Sequence, residues 1–546
     1  MDRIRILICI FALAACLPAR GQYQSPPRWS FGHHAGLDFT SGNPVPFPTA
    51  INTHSAVSST QCDDQGNVLF YANSYRIWDA QGSEMPGSIN PVWNTSYISS
   101  WNLHAMIIPD PADSNRYFVF QTFPSKGNPP YGPYFMGQLT YSIVDMTLNN
   151  GLGDVVSGFN HVLLDINIGH MLAVIPGNHC NYWVVTQFLV TGSSRFKCYE
   201  VSAAGLNPVP VVSDFAGVNT QLPGHSGIIF PRAGEMIYSY SRNKIIATYE
   251  SADLVSYDIN PSSGVVSNPV SLAWAYPQGQ TNSATLPAIC LSPDEKLLYV
   301  SGSASTTNGY ELRQFPVIDN AGGITLGQPQ VIFSTSGPQF LGVQQSTGFA
   351  WLDPAMQKGP DGKIYHAFTM GQPFLGVINQ PDIPGTACDF DPQAVQLSPG
   401  SFTTSALPAP MFTRRKTEYV AGQTIDTTVC FLPSVTLHAP DTSFQYYAWS
   451  NGQDGPETEV SISGTYVLNS GDGSCRIRQD SFLVTMTNHF LTLDNDITTC
   501  DPVTIYANTN ATGPLSYLWQ DNSTGPSMMV QEPGTYWVEM QAAGCV

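Results

Sequence analysis

AICLSPDEKLLYV, Ala288–Val300, decides how the first two thirds of this chain are read. Two short apolar runs flank the polar turn Ser292–Lys296. Neither run is long enough for a stable helix, and Leu297, Leu298, Tyr299 and Val300 suit a half-buried pleated surface, so the stretch predicts two strands joined by a tight turn. A lone hairpin is marginal in water and needs further strands beside it.

The same pattern recurs as AVSSTQCDDQGNVLFY (Ala56–Tyr71), AMIIPDPADSNRYFVF (Ala105–Phe120), LAVIPGNHCNYWVV (Leu172–Val185), GIIFPRAGEMIYSY (Gly227–Tyr240) and AWLDPAMQKGPDGKIY (Ala350–Tyr365). With Phe70, Tyr117, Tyr182, Tyr238, Tyr299 and Tyr365 as markers on each second strand, successive copies lie roughly 47 to 66 residues apart, the period of propeller blades with some long loops. Six four-stranded blades account for the chain from about Ser55 to Leu397. Two orphan pieces remain: the strands of Trp29–Phe47, and Ala406–Thr413. Joined as one composite blade, inner strands from the second piece and outer strands from the first, they close the ring and protect its sheet edges. The fold class expected is all-β: a seven-bladed β-propeller over residues 22–421, closed by N- and C-terminal strands. Six blades, with the orphans as covering loops, is the alternative.

Composition agrees. Gly (47), Pro (43), Tyr (25) and Phe (27) are plentiful while charged residues make up 11%, which favours short strands and many turns. A net charge of −19, with 21 basic residues against 40 acidic, argues against nucleic acid as a partner. Arg414-Arg415-Lys416 reads as a solvated hinge opening a linker to Gly422. Arg3 and Arg5 before the apolar run Ile6–Ala15 read as a secretory signal over residues 1–21, with cleavage before Gln22 favoured over lipidation at Cys16. No other run is long and apolar enough for a transmembrane helix.

Beyond the linker, Cys430, Trp449, Tyr466 and Cys475 recur as Cys500, Trp519, Tyr536 and Cys545 with the same three intervals. This predicts a duplicated β-sandwich, residues 422–488 and 489–546, in which the Trp and Tyr pack the core. Modules this small have marginal cores. Bridges Cys430–Cys475 and Cys500–Cys545 would each contribute about 4 kcal/mol by constraining the unfolded chain. The second module stops one residue after Cys545, without the strand that DSFLVTMT (Asp480–Thr487) gives the first, and the natural chain is expected to continue.

WSFGHHAGLDFTSGNPV, Trp29–Val45, resembles the opening of propeller-type extracellular proteins of gliding, Bacteroidetes-like bacteria. The resemblance implies immunoglobulin-like (PKD-like) modules after the propeller, a type IX secretion sorting domain that these residues do not contain, and a role in gliding or surface attachment.

Four histidines, His54, His104, His170 and His225, open the first strands of four consecutive repeats, positions that would surround one mouth of a propeller channel. Neutral imidazoles there can hold Zn²⁺ with an open water position, the chemistry of a metal-assisted lactonase or lyase. A polar channel lining is the plainer reading, because no carboxylate recurs beside them. Ser226, in Gly224–Gly227, lacks a nucleophile elbow; His33 and His34 read as surface residues; Asp494 and Asp496 offer too few oxygens for a full Ca²⁺ site. Cys62, Cys180, Cys198, Cys290 and Cys388 are odd in number, and Cys180 and Cys198 are out of register for a bridge. Tyr131, Tyr134 and Phe135 are candidate loop contacts. The function expected is an exported, non-enzymatic surface protein binding a glycan or a surface protein, without a required cofactor; the alternative is the histidine-mouth enzyme.

Overall fold

A computed structural model describes residues 23–542, apart from 53–55, 89–102, 126–135, 170, 191–192, 217–234, 249–252, 275–286, 305–308, 336–353, 369–370, 405, 415–417, 431–432, 445, 472–474 and 488. The chain divides into two compact units, Met1–Lys416 and Thr417–Val546. The described residues are all-β, with short 3-10 turns and no α-helix. No helix among them is long and apolar enough to cross a membrane.

In the first unit, seven sheets of three or more strands follow one another among the described residues, a propeller-like succession, antiparallel except where Ala56–Val57 pairs parallel with Leu103–Pro109. Sheet one is Arg28–Phe31, His33–Asp38 and Val45–Asn52; sheet two is Ser59–Cys62, Val68–Ala72 and Ile77–Asp79. Sheet three is built on Leu103–Pro109, Arg116–Ser125 and Met136–Asp145, with Asp154–Val155 and Val162–Ile168 both on the last of these. Sheet four runs Leu172–Pro176, Tyr182–Val190, Ser193–Ser202, and sheet five Met236–Ser239, Lys244–Thr248, Asp253–Ile259, Val266–Trp274. Sheet six has Ala288–Leu291, Leu297–Ala304 and Gly309–Asn320; sheet seven has Ala355–Lys358, Ile364–Ala367, Phe374–Ile378 and Phe390–Gln396.

Each sheet buries one face against the next, which is how short amphipathic hairpins acquire a core. Phe70 of sheet two packs with Tyr117 of sheet three, Phe120 with Tyr182 of sheet four, Phe196 with Tyr257 of sheet five, and Leu254 with Leu298 of sheet six. Tyr299 then packs with Ile364 of sheet seven, and Tyr365 of sheet seven with Trp29 and Phe39 of sheet one, ring centroids 5.3 Å away in both cases. Sheets one and two are tied by Ser58 Oγ donating to the Ser30 carbonyl at 2.6 Å.

Four expectations change. The terminal pieces do not merge into one composite sheet: Trp29–Phe39 belongs to sheet one, while Met411–Phe412 pairs with Tyr23–Gln24. Among the described residues Tyr238 lies on the first strand of its sheet rather than the second, because there Met236–Ser239 pairs only with Lys244–Thr248; Ile245 and Ile246 take the position that aromatics hold elsewhere. Arg414 is no solvated hinge. Its guanidinium donates to the carbonyls of Asp110 (2.5 Å) and Asp113 (2.6 Å) and lies 5.1 Å from the Tyr117 ring centre. The expected linker is also shorter, since the strand Glu418–Cys430 already belongs to the second unit and runs parallel to Arg476–Thr487.

The second unit repeats one set of bonds twice. Trp449 Nε1 donates to the Gly455 carbonyl and Trp519 Nε1 to that of Gly525; Tyr466 Oη donates to Ile462 and Tyr536 Oη to Glu532. Trp449 and Trp519 are buried at the centres of two separate cores, with Tyr466 and Tyr536 packed against them. The cysteines diverge. Cys475 is disulfide-bonded, but the side chain of its expected partner, Cys430, lies outside the described residues. Cys500 is an exposed free thiol and not half of a bridge; it stands at a bend that no strand pairing holds, and Cys545 lies outside the described residues.

Candidate functional site

The innermost strands of sheets three to seven, with Val57 and the segment Ala406–Pro410, line a central cavity of about 140 Å³. The segments at its wall, LAV at Leu172–Val174, MIY at Met236–Tyr238 and AICL at Ala288–Leu291, are apolar because each also packs against a neighbouring sheet. Pro408 and Pro410 add rigid apolar surface without amide donors.

The ionisable exceptions are few. Glu235 enters just before its strand, held by its own amide donating to Thr248 Oγ1 at 2.8 Å, and its Oε2 accepts the amide of Ile289 from sheet six at 2.6 Å. Glu235 keeps some surface toward the cavity, but protein surrounds the carboxyl closely. Burial pushes it up to about 8 against the opposing Ile289 hydrogen bond, so at neutral pH it is mainly a protonated acid. Cys290 is a buried free thiol pushed up to about 12 by burial, with the Lys358 charge working the other way; it is no thiolate nucleophile at neutral pH. Glu295, at φ +59°, is committed to structure: its carboxylate accepts Ser239 Oγ at 2.7 Å and the amides of Tyr240 and Ser241.

Of the four channel histidines, His104 is described. It lies buried in the cavity wall, and its amide donates to Thr122 Oγ1 at 2.8 Å. His54, His170 and His225 lie outside the described residues, as do Ser226 and the loop residues Tyr131, Tyr134 and Phe135. Among the described residues no group of three or more His, Cys, Asp or Glu side chains is placed to hold a metal ion. His33 and His34 are tied down: His33 Nδ1 meets Asn52 Oδ1 at 2.8 Å and stacks on Phe402, and His34 Nδ1 meets the Thr49 carbonyl at 2.9 Å. Asp494 accepts Asn508 Nδ2 at 3.2 Å. Cys198 is a buried free thiol, whereas Cys180 is disulfide-bonded.

A second polar cluster was not anticipated. His366 Nε2 lies 2.6 Å from Ser301 Oγ and 2.8 Å from Tyr310 Oη, joining sheets six and seven among Phe333, Phe368 and Phe390. Burial pushes His366 down to about 3, so the imidazole is neutral. Its three members are 9 to 65 residues apart in sequence, and only the "YHA" of a second strand hinted that a histidine alternated into the core.

No family model matches the sequence, and no curated protein matches it. Among solved structures, the chain is similar to the periplasmic gluconolactonase of Pseudomonas aeruginosa (13% identity, 76% of this chain and 92% of that one, TM-score 0.31). It is also similar to the β-propeller domain of Cps50 (Swd1) from Myceliophteria thermophila (9% identity, 63% and 94%, TM-score 0.31) and to the sialidase of Trypanosoma rangeli (10% identity, 65% and 58%, TM-score 0.30).

Proposed function

We propose that the chain is an exported cell-surface or secreted binding protein. In this reading sheets one to seven are the blades of a closed seven-bladed propeller, and the second unit is a pair of immunoglobulin-like spacer modules. The observation that carries the reading is the packed axis. A central cavity of about 140 Å³ is small beside the ~300–1,000 Å³ of ordinary ligand pockets; of the acids and thiol at its wall, Glu235 and Cys290 sit in their protonated forms and the Glu295 carboxylate is taken up by Ser239, Tyr240 and Ser241. A ring filled in this way serves as a rigid frame, and recognition falls to its loops and outer faces. A glycan or a surface protein is the ligand class, and surface attachment or gliding the process that the sequence resemblance suggests.

One observation favours a second reading, an exported propeller enzyme: Glu235, a protonated carboxyl at neutral pH, shares the cavity with His104. Interferometry of the immobilised full chain against surface polysaccharides and outer-membrane proteins tests the first reading. Saturable binding is the expected result; no binding to either class would count against it.

A further inference from the structure

The face of sheet seven that packs on sheet one changes character along its strands. Tyr365 and Ala367 of one strand and Leu375 and Val377 of the next share this face and lie against Trp29, Leu37 and Phe39. Two residues further along the same alternation stand Lys363 and Asn379, and there the face turns polar, with Lys363 Nζ donating to Asn379 Oδ1 at 2.9 Å. At this end both sheets line a groove of about 390 Å³. Asn43, Pro44 and Pro46 of sheet one form one wall, and the edge strand Phe390–Gln396 of sheet seven supplies the other.

The edge strand is bulged where it borders the groove. Leu375 pairs with Val395 and Val377 with Asp391, so the three residues Pro392–Ala394 stand against the single residue Gly376. Such a bulge bends an edge strand and re-aims its side chains. Asp391 and Ala394 both line the groove as a result, although residues three apart on a regular strand face opposite sides.

The groove is reachable. Asn43, Asp391, Ala394 and Gln396 are exposed, and Lys363, Pro44 and Pro46 are half-buried. Its polar groups also have bonding capacity to spare. Asp391 Oδ1 accepts the Gln393 amide at 3.0 Å, and Gln396 Nε2 donates to the Gln393 carbonyl at 3.4 Å. Among the described residues, Asp391 Oδ2, Gln396 Oε1 and the Asn43 side-chain amide have no protein partner, and Lys363 uses one of its three ammonium hydrogens.

The lining holds one ammonium and one carboxylate, so it carries no net charge. A singly charged ligand would meet a like charge at one of them. Sugar hydroxyls both donate and accept, so they can satisfy the ammonium, the carboxylate and the amides together, while a C–H face of the sugar ring covers Pro44 and Pro46. The volume lies within the ~300–1,000 Å³ of ordinary ligand pockets. We propose that this groove, between Asn43–Pro46 of sheet one and the bulged edge of sheet seven, binds uncharged sugar residues of a glycan. The proposal rests on the binding reading above and names its site and ligand class.

The test is capture of the full chain on an array of neutral, sialylated and sulfated glycans, with Asp391→Ala and Ala394→Trp variants. Wild-type protein is expected to bind neutral glycans, Asp391→Ala to weaken that binding about tenfold through a lost charged hydrogen bond, and Ala394→Trp to abolish it by filling the groove. Both positions are exposed, so melting temperatures should stay at the wild-type value. Should one variant melt lower, the other still reads the site. Neutral glycans bound equally by wild type and variants, or only charged glycans bound, would overturn the site and leave the binding reading standing. Binding of surface proteins by interferometry, with no glycan captured, would do the same. Protein that binds neither would overturn both.

Discussion

The amide of Ile289 donates to Oε2 of Glu235 at 2.6 Å, so the start of sheet six is fixed to the start of sheet five through a carboxyl in the wall of the central cavity. The bond joins backbone to side chain between sheets, beside the apolar contacts that pack one sheet on the next. It also makes one titration visible in the stability of the first unit.

Glu235 titrates near 8 when folded, well above an ordinary carboxyl, so the folded state favours its protonated form. Stability from this group is fully present below about pH 4.5 and is lost as pH rises through 8. Glu235→Gln keeps the acceptor for Ile289 and cannot ionise. It should match wild type at pH 5 and exceed it by about 1–3 kcal/mol at pH 9 in denaturant melts. Parallel pH curves for the two proteins would contradict this.

His366 works in the opposite direction. Its folded value near 3 means the neutral ring is favoured, so its contribution is present above about pH 6.5 and falls away toward pH 3. His366→Gln should cost about 1–3 kcal/mol at pH 7, through the lost bonds to Ser301 and Tyr310, and should flatten the acid limb of the melting curve. An unchanged acid limb would place the acid-sensitive group elsewhere.

Arg414 holds the end of the first unit against the turn Asp110–Arg116 through two short bonds and the Tyr117 ring. Arg414→Ala should destabilise the first unit by about 2–3 kcal/mol, and Arg414→Lys by less, since one nitrogen, Nη1, makes both short bonds and an ammonium can replace part of them. Limited proteolysis near residues 408–416 is the readout, and equal cleavage rates would show the clamp to be idle.

Trp449 and Trp519 fill small separate cores, so replacing either with Ala should cost about 3–5 kcal/mol and unfold its own module. Hydrogen exchange should show protection lost in the mutated module and kept in the other. Loss in both would mean that the modules fold as one unit.

Much of this was legible in the residues. AICLSPDEKLLYV became the strands Ala288–Leu291 and Leu297–Ala304, and the spaced repeats of Trp449 and Trp519 became matched indole hydrogen bonds. Such features depend on neighbours in sequence, where periodicity and turn chemistry act. Tyr238 misled because an aromatic at the right spacing does not reveal which strand of a sheet carries it. Cys500 misled because equal spacing does not guarantee equal support: the first module has the long strand Glu418–Cys430, whereas Cys500 stands outside any strand. Ser301, Tyr310 and His366, and the meeting of Tyr75 and His161 at Phe123, are products of sheet packing and leave no local signal.

In the proposed function, the first unit recognises ligands with its loops and outer faces, and its central cavity performs no chemistry. The direct measurement compares wild-type full chain with His104→Ala and Glu235→Gln variants, reading retention on bacterial envelopes and hydrolysis of an aldonolactone in the same preparations. Saturable retention that both variants keep within about twofold, with no hydrolysis above background, is the predicted result. Hydrolysis by the wild type that either variant abolishes would contradict it and move the function to the cavity.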